Sequence, residues 1–361
     1  MDKKLKIAII GSRGYPYVYS GYETLVQELS ERLLERGHKV RVYCHNSLFK
    51  KKPRYVKGIE LVYTPSIETK FLSQFINSFF SFIHVCFSKY DTILVLNSAN
   101  GPFGIITKIF NKKTFINVDG LEWLRPKWKG IGSIYYRIST FFACILFDRI
   151  ITDSLEMSKI YHKLYNVKST IISYGPSLLI DEKSNILRKF NLKKNNFYLI
   201  IGRLIPDNNS DIIIKGYLKS NTKRKLLIVG DVPYVDKFST NVKKYASNKI
   251  IFTGYIKDKN DLTSLYKNCF AYVHGHEYGG TNPTMVNALS LNNKIMALNT
   301  VFNIEMLKEN EGILFDKTIA SISKSFNIID LDTSVKNNFD LSKFYCWDFV
   351  VKKYESLFYS I

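Results

Sequence analysis

Three stretches of this 361-residue chain combine side chains and backbone suited to holding an anion. The richest is His274-Gly275-His276-Glu277-Tyr278-Gly279-Gly280-Thr281-Asn282-Pro283, directly after the apolar run 270–273. Pro283 suits the first turn of a helix, and Thr281 or Asn282 suits its cap. Tandem glycines before such a start bring bare amides to the positive end of the helix, an anion site made of backbone with Glu277 at its mouth. Two histidines and a carboxylate also read as a metal site. His274, His276 and Glu277 are close neighbours on an extended chain and converge poorly on one ion, so no metal is expected.

The second stretch, Gly202-Arg203-Leu204-Ile205-Pro206-Asp207-Asn208-Asn209, follows the run 197–201. An arginine at the carboxyl end of a strand, beside a glycine that keeps the loop low, can grip a diphosphate with its planar fork. A plain surface-loop arginine is the other reading. The third, Gly11-Ser12-Arg13-Gly14 through Ser20-Gly21-Tyr22-Glu23, is either a backbone approach to phosphate or a simple strand-to-helix turn. Elsewhere, Arg36-Gly37-His38-Lys39 reads as a helix C-cap turn, which leaves His38 outside the chemistry. Asp330-Leu331-Asp332 looks like a metal-binding D-x-D but has no strand-end context and is expected to be solvated. No P-loop, esterase-elbow or zincin motif occurs.

Strands and helices must alternate to place these loops at strand ends. Apolar, β-branched runs at 5–10, 39–44, 59–63, 92–96, 114–118, 149–152 and 170–173 are separated by helical patterns. Leu25, Leu29 and Leu33 form the buried stripe of the first helix. After Gly175-Pro176 the alternation restarts with 197–201, 225–229, 249–252, 270–273 and 294–298. The pattern predicts an α/β protein of β-α-β units with mostly parallel sheets. The expected division is 1–178, 179–340 and a C-terminal amphipathic helix in 341–361. In open sheets of this kind, ligands sit beyond the carboxyl ends of the strands.

The chain carries 52 Lys and Arg against 31 Asp and Glu, a net charge of +21. That balance favours anionic partners such as nucleotides, pyrophosphates or anionic lipid. No nucleic-acid module accompanies it, and the dinucleotide fingerprint of NAD enzymes is missing. Five scattered cysteines without a C-x-x-C pair fit a reducing cytosol. The N-terminal apolar run is too short for a signal peptide. Residues 71–87 contain Gln74, Asn77 and His84 and fall short of a membrane span. They read either as a buried core helix or as an interfacial one, flanked by Lys70 and Lys89.

In this order and context the motifs resemble family 4 of the glycosyltransferases. The stretch Ile9 to Gly14 through Gly21-Tyr22-Glu23-Thr24, together with Asn117-Val118-Asp119-Gly120-Leu121-Glu122-Trp123 and Lys127-Trp128, is similar more narrowly to bacterial rhamnosyltransferases of capsule and exopolysaccharide assembly. The resemblance implies the GT-B fold, two Rossmann-like domains with an interdomain cleft. It implies retaining, metal-independent transfer from a nucleotide-diphosphate sugar, with no cofactor. In the narrower group the donor is dTDP-rhamnose and the acceptor a glucose on undecaprenyl diphosphate, joined by a β-1,4 linkage. Such an acceptor implies a protein peripheral on the cytoplasmic face of the plasma membrane.

By motif position, Arg203 would hold the donor diphosphate, Gly279, Gly280 and Thr281 would line it with amides, and Glu277 would contact the donor sugar. Gly14 and Gly21 would approach from the N-terminal domain, and Asp119 would sit near the acceptor. Asn208 and Asn287 stand where the broad family usually has Lys and Glu. A deoxyribose offers one hydroxyl where ribose offers two, so an amide at 287 suits a dTDP donor. A sugar-nucleotide epimerase of the same architecture, or a family 4 transferase using another nucleotide sugar, are the alternative readings.

Overall fold

The computed structural model describes residues 3–16, 21–67, 69, 72–118, 120–128, 130–178, 184–232, 236–307, 312–331 and 345–361. The chain forms two compact units, one of residues 1–174 with 346–361 and one of residues 175–345.

The first unit is built on strands β1 (Lys6–Ile10), β2 (Lys39–His45), β3 (Tyr55–Val56), β4 (Ile59–Thr64), β5 (Thr92–Leu96), β6 (Thr114–Asn117), β7 (Arg149–Thr152) and β8 (Ser169–Ile171). Their order is β3-β4-β2-β1-β5-β6-β7-β8. Every pairing is parallel except β3 with β4. Strands of a parallel sheet are covered on both faces, which is why β5 is buried at all of its five positions and is apolar from Ile93 to Leu96. The helix Gly21–Glu35 buries Leu25, Leu29 and Leu33 against this sheet.

The closing helix, Trp347–Tyr359, belongs to the first unit. Its apolar face (Trp347, Val350, Val351, Tyr354, Leu357 and Phe358) enters the core that holds Leu25 and Leu29. Polar contacts fix its register. Asn117 Nδ2 donates to Tyr354 Oη at 2.9 Å, and Arg36 pairs with Glu355 at 2.6 Å. His38 sits at the C-cap turn: its Nδ1 accepts the Leu5 amide at 3.1 Å and its Nε2 meets Glu355 at 2.9 Å. Trp347 is almost fully buried, with the Arg32 guanidinium over its ring. Trp347→Ala is therefore expected to cost about 3–5 kcal/mol of stability, as large aromatic deletions from cores do. Urea unfolding followed by tyrosine and tryptophan fluorescence measures it.

The second unit carries β9 (Phe197–Ile201), β10 (Lys225–Val229), β11 (Ile250–Gly254), β12 (Ala271–His274), β13 (Ile295–Leu298) and β14 (Ile313–Phe315). All pairings are parallel, in the order β11-β10-β9-β12-β13-β14. The order reverses between β9 and β12, so the crevice of this sheet opens at their carboxyl ends. Asp330, expected to be solvated, is instead held by Arg224 at 2.5 Å and by the Tyr198 hydroxyl. It ties the helix Ile319–Leu331 to β9. Asp332 lies outside the described residues.

Candidate functional site

The two motif loops of the second unit leave adjacent strands at the switch point. Gly202-Arg203 follows β9, and Gly275-His276-Glu277 follows β12. Several hydrogen bonds join them. Asn209, in the left-handed region at φ 54°, sends its Nδ2 to the Gly275 carbonyl at 2.9 Å and to Glu277 Oε2 at 3.2 Å. The Glu277 amide donates to the Asp207 carbonyl at 3.1 Å. Asn208 uses both ends of its amide: Nδ2 donates to the Arg203 carbonyl, and Oδ1 meets His276 Nδ1, each at 2.8 Å. Close approach is possible because residue 275 is glycine. A Cβ there would lie 2.3 Å from the Asn208 carbonyl oxygen.

Arg203 is half-buried, and its guanidinium pairs with no carboxylate among the described residues. Glu277, also half-buried, forms an ion pair with Lys317 at 2.6 Å. Gly279 adopts φ +139°, a conformation that glycine enters without strain, and turns the chain toward buried Gly280 and Thr281. The helix Pro283–Ser290 then starts with Asn282 as its cap, Oδ1 accepting the Thr284 amide at 3.0 Å. The loop is thus a strand-to-helix turn with backbone amides at a helix start, an arrangement suited to anions.

Asn287 lies on the buried face of that helix, and its Oδ1 accepts the amide of Ser177 at 2.9 Å. His274 is fully enclosed, its Nδ1 against the Tyr272 hydroxyl at 3.1 Å. Among the described residues no three His, Cys, Asp or Glu side chains are grouped as metal ligands. Burial pushes the His274 imidazole down from its ordinary 6.5 to about 3. A histidine with a lowered folded pKa contributes stability that is complete above 6.5 and is lost as pH falls toward 3. The urea midpoint of the wild type is therefore expected to drop between pH 7 and about 4.5, and His274→Gln to flatten that slope.

In the first unit, Gly14 is buried against Phe49 and Cys44 at the carboxyl end of β1. Gly21 is exposed at the first residue of its helix. From the first turn of that helix Glu23, 2% exposed, reaches back to accept the Arg13 amide at 2.8 Å. Asp119 lies outside the described residues. Its neighbour Glu122 is buried and pairs with Arg125 and with the Trp128 indole, each at 2.9 Å.

Two sequence profiles match the chain, one described as a domain of unknown function (DUF1972) over residues 4–177 and one as glycosyl transferases group 1 over residues 182–339. The sucrose-phosphate synthase of Thermosynechococcus elongatus superposes with a TM-score of 0.81 at 13% identity, over 99% of this chain and 98% of that one. Residues 182–339 are thus a group 1 glycosyltransferase domain, and the chain has the GT-B fold. Two further structures are similar to the glycosyltransferase. Anabaena HepE in complex with UDP and glucose has a TM-score of 0.77 at 13% identity, covering 99% and 100% of the chains. A glycosyltransferase from Rickettsia africae has a TM-score of 0.74 at 15% identity, covering 99% and 98%. No curated protein matches in sequence.

Sequence reasoning did not single out three residues that hold the site of this glycosyltransferase in place. Asn209 could have been found, since an Asn-Asn pair after Pro-Asp is a turn signal. Asn303 donates to the His276 carbonyl at 3.1 Å and to the Leu298 carbonyl at 2.8 Å, tying the loop to β13. Lys317 follows β14, a three-residue strand whose pattern gives no sequence signal.

Proposed function

We propose that the second unit binds a nucleotide-diphosphate sugar and that the chain transfers rhamnose from dTDP-rhamnose to a glucose on undecaprenyl diphosphate. The reaction proceeds with retention, forms a β-1,4 linkage, and serves capsule or exopolysaccharide repeat-unit synthesis. The observation that carries the donor site is the emergence of Arg203 and Glu277 from neighbouring strands at the switch point, above a helix start. A departing diphosphate develops negative charge there, and a fixed guanidinium with fixed amides stabilises it most where water is excluded. Gly279, Gly280 and Thr281 line the diphosphate and Glu277 meets the sugar. Asn208 steadies the Arg203 loop, and Asn287 lies toward the nucleoside. Gly14, Gly21 and Asp119 serve the acceptor side.

In this scheme the acceptor oxygen bonds to the anomeric carbon on the face from which the diphosphate leaves. The bond to the diphosphate oxygen breaks, and the acceptor's proton passes to a phosphate oxygen. No metal or protein general base takes part. The donor identity rests on the resemblance of the N-terminal motifs. A second reading, a UDP-sugar donor, is favoured by the UDP and glucose held by HepE.

The lipid-linked acceptor requires contact with the membrane, and one face of the first unit supports it. The helices Leu72–Cys86, Gly104–Ile109 and Ile131–Leu146 pack side by side. Ile131, Ile134, Ile138, Phe141 and Ile145 are exposed at alternating spacings of three and four, one stripe along the last helix. Phe79 and Ile109 are exposed on the other two helices, and Phe87 just past the end of the first. From residue 71 to 118 the only acidic residue is Asp91, so the rim, with Lys89, Lys108 and Lys112, is cationic. An apolar face with a cationic rim suits an anionic bilayer. No helix among the described residues is long and apolar enough to cross a membrane.

Mass spectrometry of purified protein with dTDP-rhamnose, UDP-glucose and other donors, and a lipid-linked glucose acceptor, tests the reading. The expected product gains one deoxyhexose on the lipid. Sugar conversion with donor alone would mark an epimerase instead. Flotation with phosphatidylglycerol and with phosphatidylcholine vesicles tests the membrane face, and equal or no binding to both would sink it.

A further inference from the structure

Glu277 is held from the far side of the sheet as well as from its own surroundings. Lys317 stands two residues beyond β14, and its Nζ lies 2.6 Å from Glu277 Oε2. In the sheet, β13 separates β14 from β12, so the pair bridges about 10 Å of strand spacing. Lys317 is half-exposed. A long side chain held in one geometry at the surface gains little stability from its ion pair, so folding alone gives no reason for this contact.

The charges of the two loops give a reason. The two loops carry one cationic side chain, Arg203, and two acids, Glu277 and the buried Asp207. Burial raises the Tyr278 phenol, and Glu277, by its charge and a hydrogen bond, and the charge of Asp207 raise it further, each carboxylate adding a negative field there. A nucleoside diphosphate entering such a field would be repelled by the carboxylate that is meant to meet its sugar. Asn209 orients Glu277 Oε2 but brings no charge.

We propose that Lys317 is a positioning residue of the donor site: it neutralises Glu277 and fixes the direction of its carboxylate, so that an anionic donor can approach. The inference rests on the donor-site reading above. It predicts that the contribution of Lys317 to nucleotide affinity exists only while residue 277 carries a charge.

Titration calorimetry of full-length protein with dTDP and with UDP, free of divalent metal, tests it. Lys317→Met is expected to weaken diphosphate binding about tenfold and to raise KM more than it lowers kcat. Its melting temperature should match the wild type, and Lys317→Arg should bind within about twofold of it. In the double variant Lys317→Met with Glu277→Gln, affinity should return toward that of the Glu277→Gln single variant, because no carboxylate remains to be neutralised. Wild-type affinity in Lys317→Met overturns the inference. A double variant with the full tenfold loss relative to Glu277→Gln overturns it too, since Lys317 would then act on the ligand without Glu277. If the folded wild type binds neither dTDP nor UDP, the donor-site reading fails and takes this inference with it.

Discussion

Arg203→Ala is expected to lower turnover by about 10²–10³-fold while the protein melts within about 2 °C of the wild type. The size of the kinetic loss follows from what the guanidinium would do. It sits at the carboxyl end of the central strand β9, beside the switch point, with no carboxylate partner among the described residues. A fork with no carboxylate partner among the described residues remains available to a diphosphate, and its effect is largest when the leaving group carries most charge. The small thermal effect follows from the loop. The Arg203 carbonyl accepts Asn208 Nδ2 at 2.8 Å and the Ile205 amide at 2.9 Å, so the backbone is held without the side chain. Arg203→Lys keeps the charge but loses the planar fork and should recover only part of the rate. Steady-state kinetics with the donor identified by the panel, beside a thermal melt, measures both quantities. Unchanged turnover would move the diphosphate away from β9.

Some of this arrangement is legible in the sequence because burial on both faces leaves a direct mark. The runs 92–96, 149–152, 197–201 and 225–229 coincide with β5, β7, β9 and β10, since strands covered on both sides admit few polar residues. Asn282 and Pro283 mark the helix start for an equally local reason, the geometry of one cap. What was not legible depends on partners far along the chain. The pattern Trp347, Val350, Val351, Tyr354 shows an amphipathic helix, yet nothing in it says that Leu25 and Phe115 lie on the other side. β14 is three residues long and β3 two, too short for a period to appear. Asp330 was read as solvated because neither Arg224 nor Tyr198 is near it in sequence. Lys317 and Glu277 are 40 residues apart and meet only through the order β12-β13-β14. The type of each loop was local information, whereas the electrostatic setting of Glu277 was not.

Gly275→Ala is expected to lower turnover about 100-fold and, unlike Arg203→Ala, to destabilise the protein by about 1–3 kcal/mol. A Cβ at position 275 would stand 2.3 Å from the Asn208 carbonyl oxygen and 2.5 Å from Ile213 Cδ1. The isoleucine tip can turn aside, but the carbonyl is backbone. Asn209 binds the Gly275 carbonyl at 2.9 Å from the same loop, so Asn208 cannot retreat without stretching that contact. The loops after β9 and β12 must then separate by a large part of an ångström. Arg203 rides on one and Glu277 on the other, so a gap opened at glycine 275 displaces the group proposed to hold the diphosphate from the group proposed to meet the sugar. Misplacement of about 1 Å is enough to account for the expected loss. Nucleotide affinity should fall less than turnover, since Arg203 and the amides at Gly280 and Thr281 are all retained. Kinetics, calorimetry with dTDP and a urea melt of the same preparation separate these effects. A Gly275→Ala protein with wild-type stability and turnover would show that the two loops do not have to touch for the site to work.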